Sequence, residues 1–225
     1  MLAHSVSHGR TGATSQVSHH RGANPQHVVT FYEDDAFLTA AVRGFLLDGL
    51  LAGETVVVVA TPAHRHAFAA ALGDAGHDIS ASRRDGRYIE LDAASTLARL
   101  VPDGELTTAR FEEQIARFMT STAATSPGLR CYGEMTSLLW ERGELTTALE
   151  LEDRWNALLR RVRIPLFCGQ PLSGFDSPET TARFHDMCAR HSVVTTDSYG
   201  TLSVAGSSDD PIVMLDARQP GGARS

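Results

Sequence analysis

Seven side chains stand where an α/β chain could do chemistry beyond packing: His27, Tyr32, Glu33, Glu54, Glu134, Trp140 and Glu152. The first group sits in His27-Val-Val-Thr-Phe-Tyr32-Glu33-Asp34-Asp35, a short apolar strand running into an acidic, aromatic turn. In a nucleotide-binding unit this turn would be glycine-rich and carry a lysine, because backbone N–H groups and an ammonium cradle phosphate. Glu33, Asp34 and Asp35 would instead repel a polyphosphate. An ordinary helix N-cap, worth about 1 kcal/mol, and a ligand role for Tyr32 and Glu33 both fit the pattern.

Glu54 opens the run Thr55-Val-Val-Val-Val-Ala60. It could pair with an arginine, although burial statistics favour a solvated turn residue. In Arg130-Cys-Tyr-Gly-Glu134-Met135 an acid closes a strand. In an ATPase such a carboxylate holds Mg²⁺ or activates water. Without a phosphate loop, Glu134 is left to hydrogen-bond a ligand or cap the next helix. Trp140 and Trp155 belong to the apolar spacing of two neighbouring helices, which reads as core more readily than as a ligand cage. Glu152 lies on the same helix side as Trp155, and an acid there needs a partner if it is buried.

Other chemistry finds less support. His185-x-x-Cys188-x-x-His191 drifts around a helix and lacks the fourth ligand of a zinc site. It reads as a core cysteine flanked by surface histidines, and no metal or cofactor is expected. No Gly-x-Ser-x-Gly occurs, and Pro171-Leu-Ser173-Gly is no nucleophile elbow. No enzymatic activity is expected.

Composition narrows the classes further. All 20 basic residues are arginine, a bias that a GC-rich genome would produce. Whatever its cause, it removes the phosphate-loop lysine, Schiff-base chemistry and a lysine general base. A net charge of −7 argues against direct nucleic-acid binding. Cys131, Cys168 and Cys188 are odd in number and widely spaced, a free-thiol pattern. No apolar run is long enough to span a membrane, and no secretory leader is evident. A cytoplasmic location without membrane attachment is the expectation.

Residues 1–25, with His4, His8, His19 and His20, read as a disordered tail. Residues 26–199 form one folded unit, and 200–225 form a flexible tail in which only Ile212 to Leu215 could make a strand. Strands are expected at His27–Phe31, Thr55–Ala60, Arg87–Leu91, Leu129–Gly133, Ile164–Cys168 and Val193–Thr195. Helices lie between them, at about Asp34–Leu51, Pro62–Ala75, Asp92–Leu100, Thr108–Thr122, Met135–Arg142, Thr146–Val162 and Pro178–His191. The alternation implies an α/β, three-layer fold with a mostly parallel central sheet and helices on both faces. Ligands in such folds sit at the carboxyl ends of the strands. There the chain leaves through Tyr32–Asp35, Thr61–His66, Asp92–Ser95, Glu134–Thr136 and Gly169–Gly174.

Taken in order, His27-Val-Val-Thr-Phe-Tyr32, Gly53-Glu54 with its valine run, Tyr132-Gly-Glu134-Met-x-x-Leu-Leu-Trp140, Leu151-Glu152-x-x-Trp155-Asn156 and Leu166-Phe-Cys168 resemble the MEDS family. These are DcmR-type sensory domains of methanogens and methylotrophs. The resemblance spans about residues 27–195. The stretch Gly53–Asp92 is also similar to KaiC- and RecA-type ATPases, here without a Walker A loop. The resemblance implies a non-catalytic domain that senses a small organic molecule in bacterial signal transduction. It also implies a signalling partner such as a histidine kinase, an anti-sigma factor or a transcription regulator. Family members are often fused to such output domains. The tails read here leave no room for one, so a separately encoded partner is expected. Two other readings stand beside this one. One is a degenerate nucleotide-binding protein in which Arg65, Arg83 or Arg84 replaces lysine, and the other is a pure interaction module.

Overall fold

The computed structural model describes residues 27–174, 178–196 and 200–203. The expected tails at 1–25 and 204–225, including the four tail histidines and Ile212–Leu215, lie outside the described residues. Seven strands form one sheet: β1 (His27–Tyr32), β2 (Thr55–Ala60), β3 (Tyr88–Asp92), β4 (Leu129–Gly133), β5 (Leu166–Pro171), β6 (Val193–Thr196) and β7 (Gly200–Ser203). Their order is β3-β2-β4-β5-β1-β6-β7. The first six are mutually parallel, and β7 joins β6 antiparallel. The expected mostly parallel sheet is therefore present. Strand β7 falls in the stretch read from sequence as a flexible tail.

The apolar runs explain the layering. All six residues of β1 and of β2 are buried, as strands covered on both faces require. On one face lie α1 (Asp35–Leu51), α2 (Pro62–Asp74) and α3 (Ile79–Arg84). They pack Leu38, Phe45, Phe68 and Ile79 against Val28, Val56, Tyr132 and Phe167. The opposite face carries α4 (Ala93–Leu100) and a continuous helical stretch of α5 (Thr108–Phe111), a π-helical segment (Glu112–Ala116) and α6 (Arg117–Thr125). It also carries α7 (Met135–Glu141), α8 (Leu145–Val162) and α9 (Pro178–Cys188). Their core contains Leu97, Ile115, Met135, Leu151, Trp155 and Met187 on Val29, Val57, Cys131 and Leu166. Trp140 and Trp155 are both buried in this layer, as core residues.

Local signals set the element ends. Asp34 caps α1 by accepting from the Ala36 N–H at 2.9 Å. Pro62 starts α2, where its missing N–H costs nothing. Gly53, with φ of +79°, turns the chain out of α1 toward β2. Strand β5 begins at Leu166 rather than Ile164, since Pro165 has no N–H for the ladder and only its carbonyl is used, by the Cys131 N–H at 3.0 Å.

Candidate functional site

Two polar clusters lie on opposite faces of the sheet. The first is at the carboxyl ends of the strands. Glu134, the residue after β4, is buried with 4% exposure. It does not cap the helix that follows. Its Oε1 accepts from the backbone N–H of Thr61 at the start of α2. Its Oε2 accepts from His64 Nδ1 at 2.6 Å and from the Tyr132 hydroxyl at 3.1 Å. Three donors from β4 and α2 thus satisfy one carboxylate. The hydrogen bond to Glu134 raises the His64 pKa above its ordinary value, and burial opposes that only in part. The other ring nitrogen of His64 faces Asp35 Oδ1 at 3.5 Å. The His64 ring stacks on Phe68, with centroids 5.5 Å apart, and presents an edge to Tyr32 at 6.2 Å. Gly169 of β5 makes the closeness possible, because a Cβ there would meet the Tyr132 hydroxyl at 2.6 Å.

Helix N-termini at this end of the sheet are the natural anion sites of the architecture. Protein carboxylates hold two of them: Asp34 at α1, and Asp92 at α4, where it accepts from the Ser95 N–H at 2.8 Å; α2 is capped by the Thr61 hydroxyl, whose own backbone N–H goes to Glu134. Two of the three arginines considered as lysine substitutes are likewise engaged. Arg65 pairs with Asp92 at 3.1 Å, and Arg83 with Glu90 at 2.8 Å. Both line an open pocket of about 420 Å³ that also contains Glu90.

The second cluster lies between the sheet and α8–α9, at the start of β1 and the middle of β5, where Cys168 is level with Gly133 of β4. It joins His27 of β1, Cys168 of β5, Glu152 of α8 and His191, just after α9. All four are buried, and their potential ligand atoms lie within 4.8 Å of one another. His27 Nε2 is 3.3 Å from Glu152 Oε2 and 3.4 Å from Cys168 Sγ, and His191 Nε2 is 3.5 Å from Glu152 Oε2. The two imidazole centroids are 4.0 Å apart. Burial chiefly pushes the Glu152 carboxyl up to about 7, against the Thr136 hydrogen bond and the Arg190 charge and with a small push from Asp153, and it pushes the His27 imidazole down to about 4 against hydrogen bonds to Asn156 and the Arg190 backbone. It also drives His191 well below its ordinary value and the Cys168 thiol well above.

The seven residues singled out from sequence therefore separate. Tyr32, Glu33 and Glu134 lie at the carboxyl end, with Glu33 exposed in the turn after β1. His27 and Glu152 meet in the second cluster. Trp140 is buried in the helical layer of α4–α9. Glu54 is not a solvated turn residue. It accepts from Arg130 Nε at 2.6 Å, while Arg130 also donates to the Phe45 carbonyl at 2.7 Å, because a guanidinium buried at the foot of β4 needs acceptors. His191 corrects another expectation: it is buried with 3% exposure, not a surface histidine, whereas His185 is exposed and Cys188 is core. Sequence reasoning missed His64, Tyr132 and Cys168 as site residues. His64 sits in the segment leaving β2, and strand position was its only signal.

Residues 26–191 match the family MEDS, the MEthanogen/methylotroph, DcmR Sensory domain. Among solved structures, the chain is similar to a KaiC-like protein, PH0186, from Pyrococcus horikoshii OT3. The TM-score is 0.52 at 14% identity, covering 88% of this chain and 83% of that one. It is also similar to PH0250 from the same organism, with a TM-score of 0.51 at 9% identity, covering 88% of this chain and 95% of that one. At such identities the likeness shows the fold, which is KaiC-like. No curated protein sequence matches the chain significantly.

Proposed function

The chain belongs to the MEDS family of sensory domains, and we propose that it is a non-catalytic sensor of a small organic molecule that signals through a separate partner protein. The observation that carries this reading is the occupation of the strand-end anion sites by carboxylates. Asp34 and Asp92 cap the α1 and α4 N-termini that a nucleotide's phosphates would need, and Glu134 takes the backbone N–H of Thr61 just before α2. Exposed Glu33, Asp34 and Asp35 add negative charge at the same place. An uncharged or cationic organic compound with hydrogen-bonding groups suits this surface, with Tyr32, His64 and Glu134 as its contacts.

Signalling follows from the placement of Glu134. It couples β4 to the start of α2 through Thr61 and His64. A ligand competing for either donor would shift α2 relative to the sheet and change the surface offered to a partner. The partner in this reading is a histidine kinase, an anti-sigma factor or a transcription regulator.

A thermal-shift screen of small alcohols, ketones and amines, run beside ATP with Mg²⁺, tests the proposal. The expected result is a saturable stabilisation by an organic compound that Glu134→Gln or Tyr32→Ala abolishes, with no effect of ATP. Binding of ATP with Mg²⁺, or stabilisation unaffected by both variants, would overturn it.

A further inference from the structure

The cluster of His27, Glu152, Cys168 and His191 has an unusual hydrogen-bond economy. His27 Nδ1 lies 3.0 Å from Asn156 Oδ1, and the Asn156 amide donates from Nδ2 to the Arg190 carbonyl at 2.9 Å. That second bond fixes which way the amide points, so the atom facing His27 is an acceptor. His27 must then carry its proton on Nδ1. His191 Nδ1 faces the Met187 carbonyl at 2.8 Å, which also only accepts. Both imidazoles are thereby held as tautomers whose Nε2 lone pairs point inward.

Those lone pairs converge on a carboxylate. Neither Glu152 oxygen, nor His191 Nε2, meets the geometry of a hydrogen bond among the described residues. Glu152 is 0% exposed and His191 3%. The protons available inside the cluster are the Cys168 thiol, 3.4 Å from His27 Nε2, the Thr136 hydroxyl beside Glu152, and the carboxyl proton of Glu152 when it is neutral. None of these closes a bond of good geometry to His191 Nε2 or to either Glu152 oxygen, a costly state in a dry interior. A cation at the centre would satisfy all four groups together.

We propose that His27, Glu152, Cys168 and His191 form a closed four-ligand site for a divalent transition metal of the zinc class. The spacing suits the ion. Tetrahedral zinc, with bonds of ~2.0–2.3 Å, sets donor–donor edges of roughly 3.3–3.7 Å. Three of the six separations, at 3.3, 3.4 and 3.5 Å, fall in that range, and all six lie within 4.8 Å. The charges match as well: one thiolate and one carboxylate neutralise a divalent ion, and two neutral imidazoles complete the shell. Binding releases the Cys168 proton, and any proton held by Glu152, to solvent. An open cleft of about 1010 Å³, lined by His27, Asn156, Arg160, Arg190 and His191 among others, offers the ion a route in. With four protein ligands and no vacant position, the ion would tie β1, β5, α8 and the α9–β6 connection together rather than activate water. This site is separate from the strand-end ligand site and stands or falls independently of it.

Cobalt(II) titration of the full, metal-stripped chain tests the assignment. The expected result is one cobalt per chain, with the intense visible bands of a tetrahedral ion and a near-ultraviolet thiolate-to-cobalt band, all displaced by zinc. The N-terminal tail holds histidines but no cysteine, so the thiolate band discriminates against binding there. Cys168→Ser should remove that band while Cys131→Ser and Cys188→Ser keep it. Asn156→Leu should weaken zinc binding roughly 10–100-fold, as loss of an orienting partner does. X-ray absorption of the zinc-loaded wild type needs no variant and should show one sulfur at about 2.3 Å with three lighter ligands. A folded chain that gives no thiolate band, a band that survives Cys168→Ser, or a zinc shell without sulfur would overturn the proposal.

Discussion

The molecule buries two carboxylates against its sheet and treats them oppositely. Glu134 at the carboxyl end accepts hydrogen bonds from the Thr61 N–H, His64 and Tyr132. Glu152, buried even more completely on the other face, meets the geometry of no hydrogen bond among the described residues, and only the Thr136 hydroxyl and the Arg190 charge favour its ionised form. Two imidazole nitrogens face it with lone pairs instead. The first cluster is complete as the protein makes it, so a ligand must compete with bonds already formed. The second, in the assignment proposed above, is completed by a cation. One region is thus built to be perturbed and the other to be filled.

The largest expected effect separates the two most sharply. Glu134→Ala leaves a backbone N–H, an imidazole and a phenol without their acceptor, and should cost about 3–5 kcal/mol of unfolding free energy, as breaking a buried pair does. Glu152→Met in metal-free protein should do the reverse. It removes an unsatisfied carboxyl in favour of an apolar side chain of similar shape, and should stabilise by roughly 1–4 kcal/mol. Urea denaturation with a chelator present measures both. If Glu152→Met destabilises the metal-free chain, the cluster has a partner that its geometry conceals, and the contrast collapses.

The same contrast explains what the sequence made legible. Continuous apolar runs and capping residues announced β1, β2, β4, α1 and α2 almost to the residue. Helix α3 escaped because Ile-Ser-Ala-Ser-Arg-Arg has no apolar period, and its start rests on the Asp78 cap. Strand β7 is a short edge piece whose place depends on pairing with β6. Glu134 was legible as a site residue because strand ends are where such folds bind. Its partner His64 lies 70 positions away in the chain and no local pattern links them. His27 and Glu152 were each singled out, but their meeting with Cys168 and His191 was not. Metal motifs are recognised by short spacings on one element, and here four separate elements supply one ligand each. The helix-drift argument against His185, Cys188 and His191 considered that helix alone, whereas His191 makes its contacts beyond the helix end.

Glu54 supplies an intermediate case that calibrates the comparison. It is partly exposed and bound to a buried arginine that has a second acceptor in the Phe45 carbonyl. Glu54→Ala should therefore cost about 1–3 kcal/mol, the range for a hydrogen bond to a charged group. It should leave both the organic-ligand response and cobalt binding unchanged, since Glu54 belongs to neither cluster. A loss of either response in a folded Glu54→Ala protein would show that the clusters communicate through the foot of β2.

The smallest expected effect concerns the pH dependence of the carboxyl-end cluster. His64 is raised above its ordinary value of 6.5, chiefly by its hydrogen bond to Glu134. A histidine raised on folding binds its proton more tightly in the native state, so protonation favours folding. Its contribution is fully present below about 6.5 and is lost as pH rises through the native value. Glu134, Asp35 and Tyr32 face the ring, and Phe68 stacks on it, so no cation among these neighbours opposes the charge. The neutral ring still donates from Nδ1 to Glu134, and only the charge-dependent part disappears. Unfolding free energies of the wild type and His64→Gln, measured with chelator across about pH 5.5 to 8.5, should differ most at the acidic end and converge at the basic end. A difference that grows with pH would mean that the imidazole is held neutral, and that Glu134 is completed by Thr61 and Tyr132 without a charged partner.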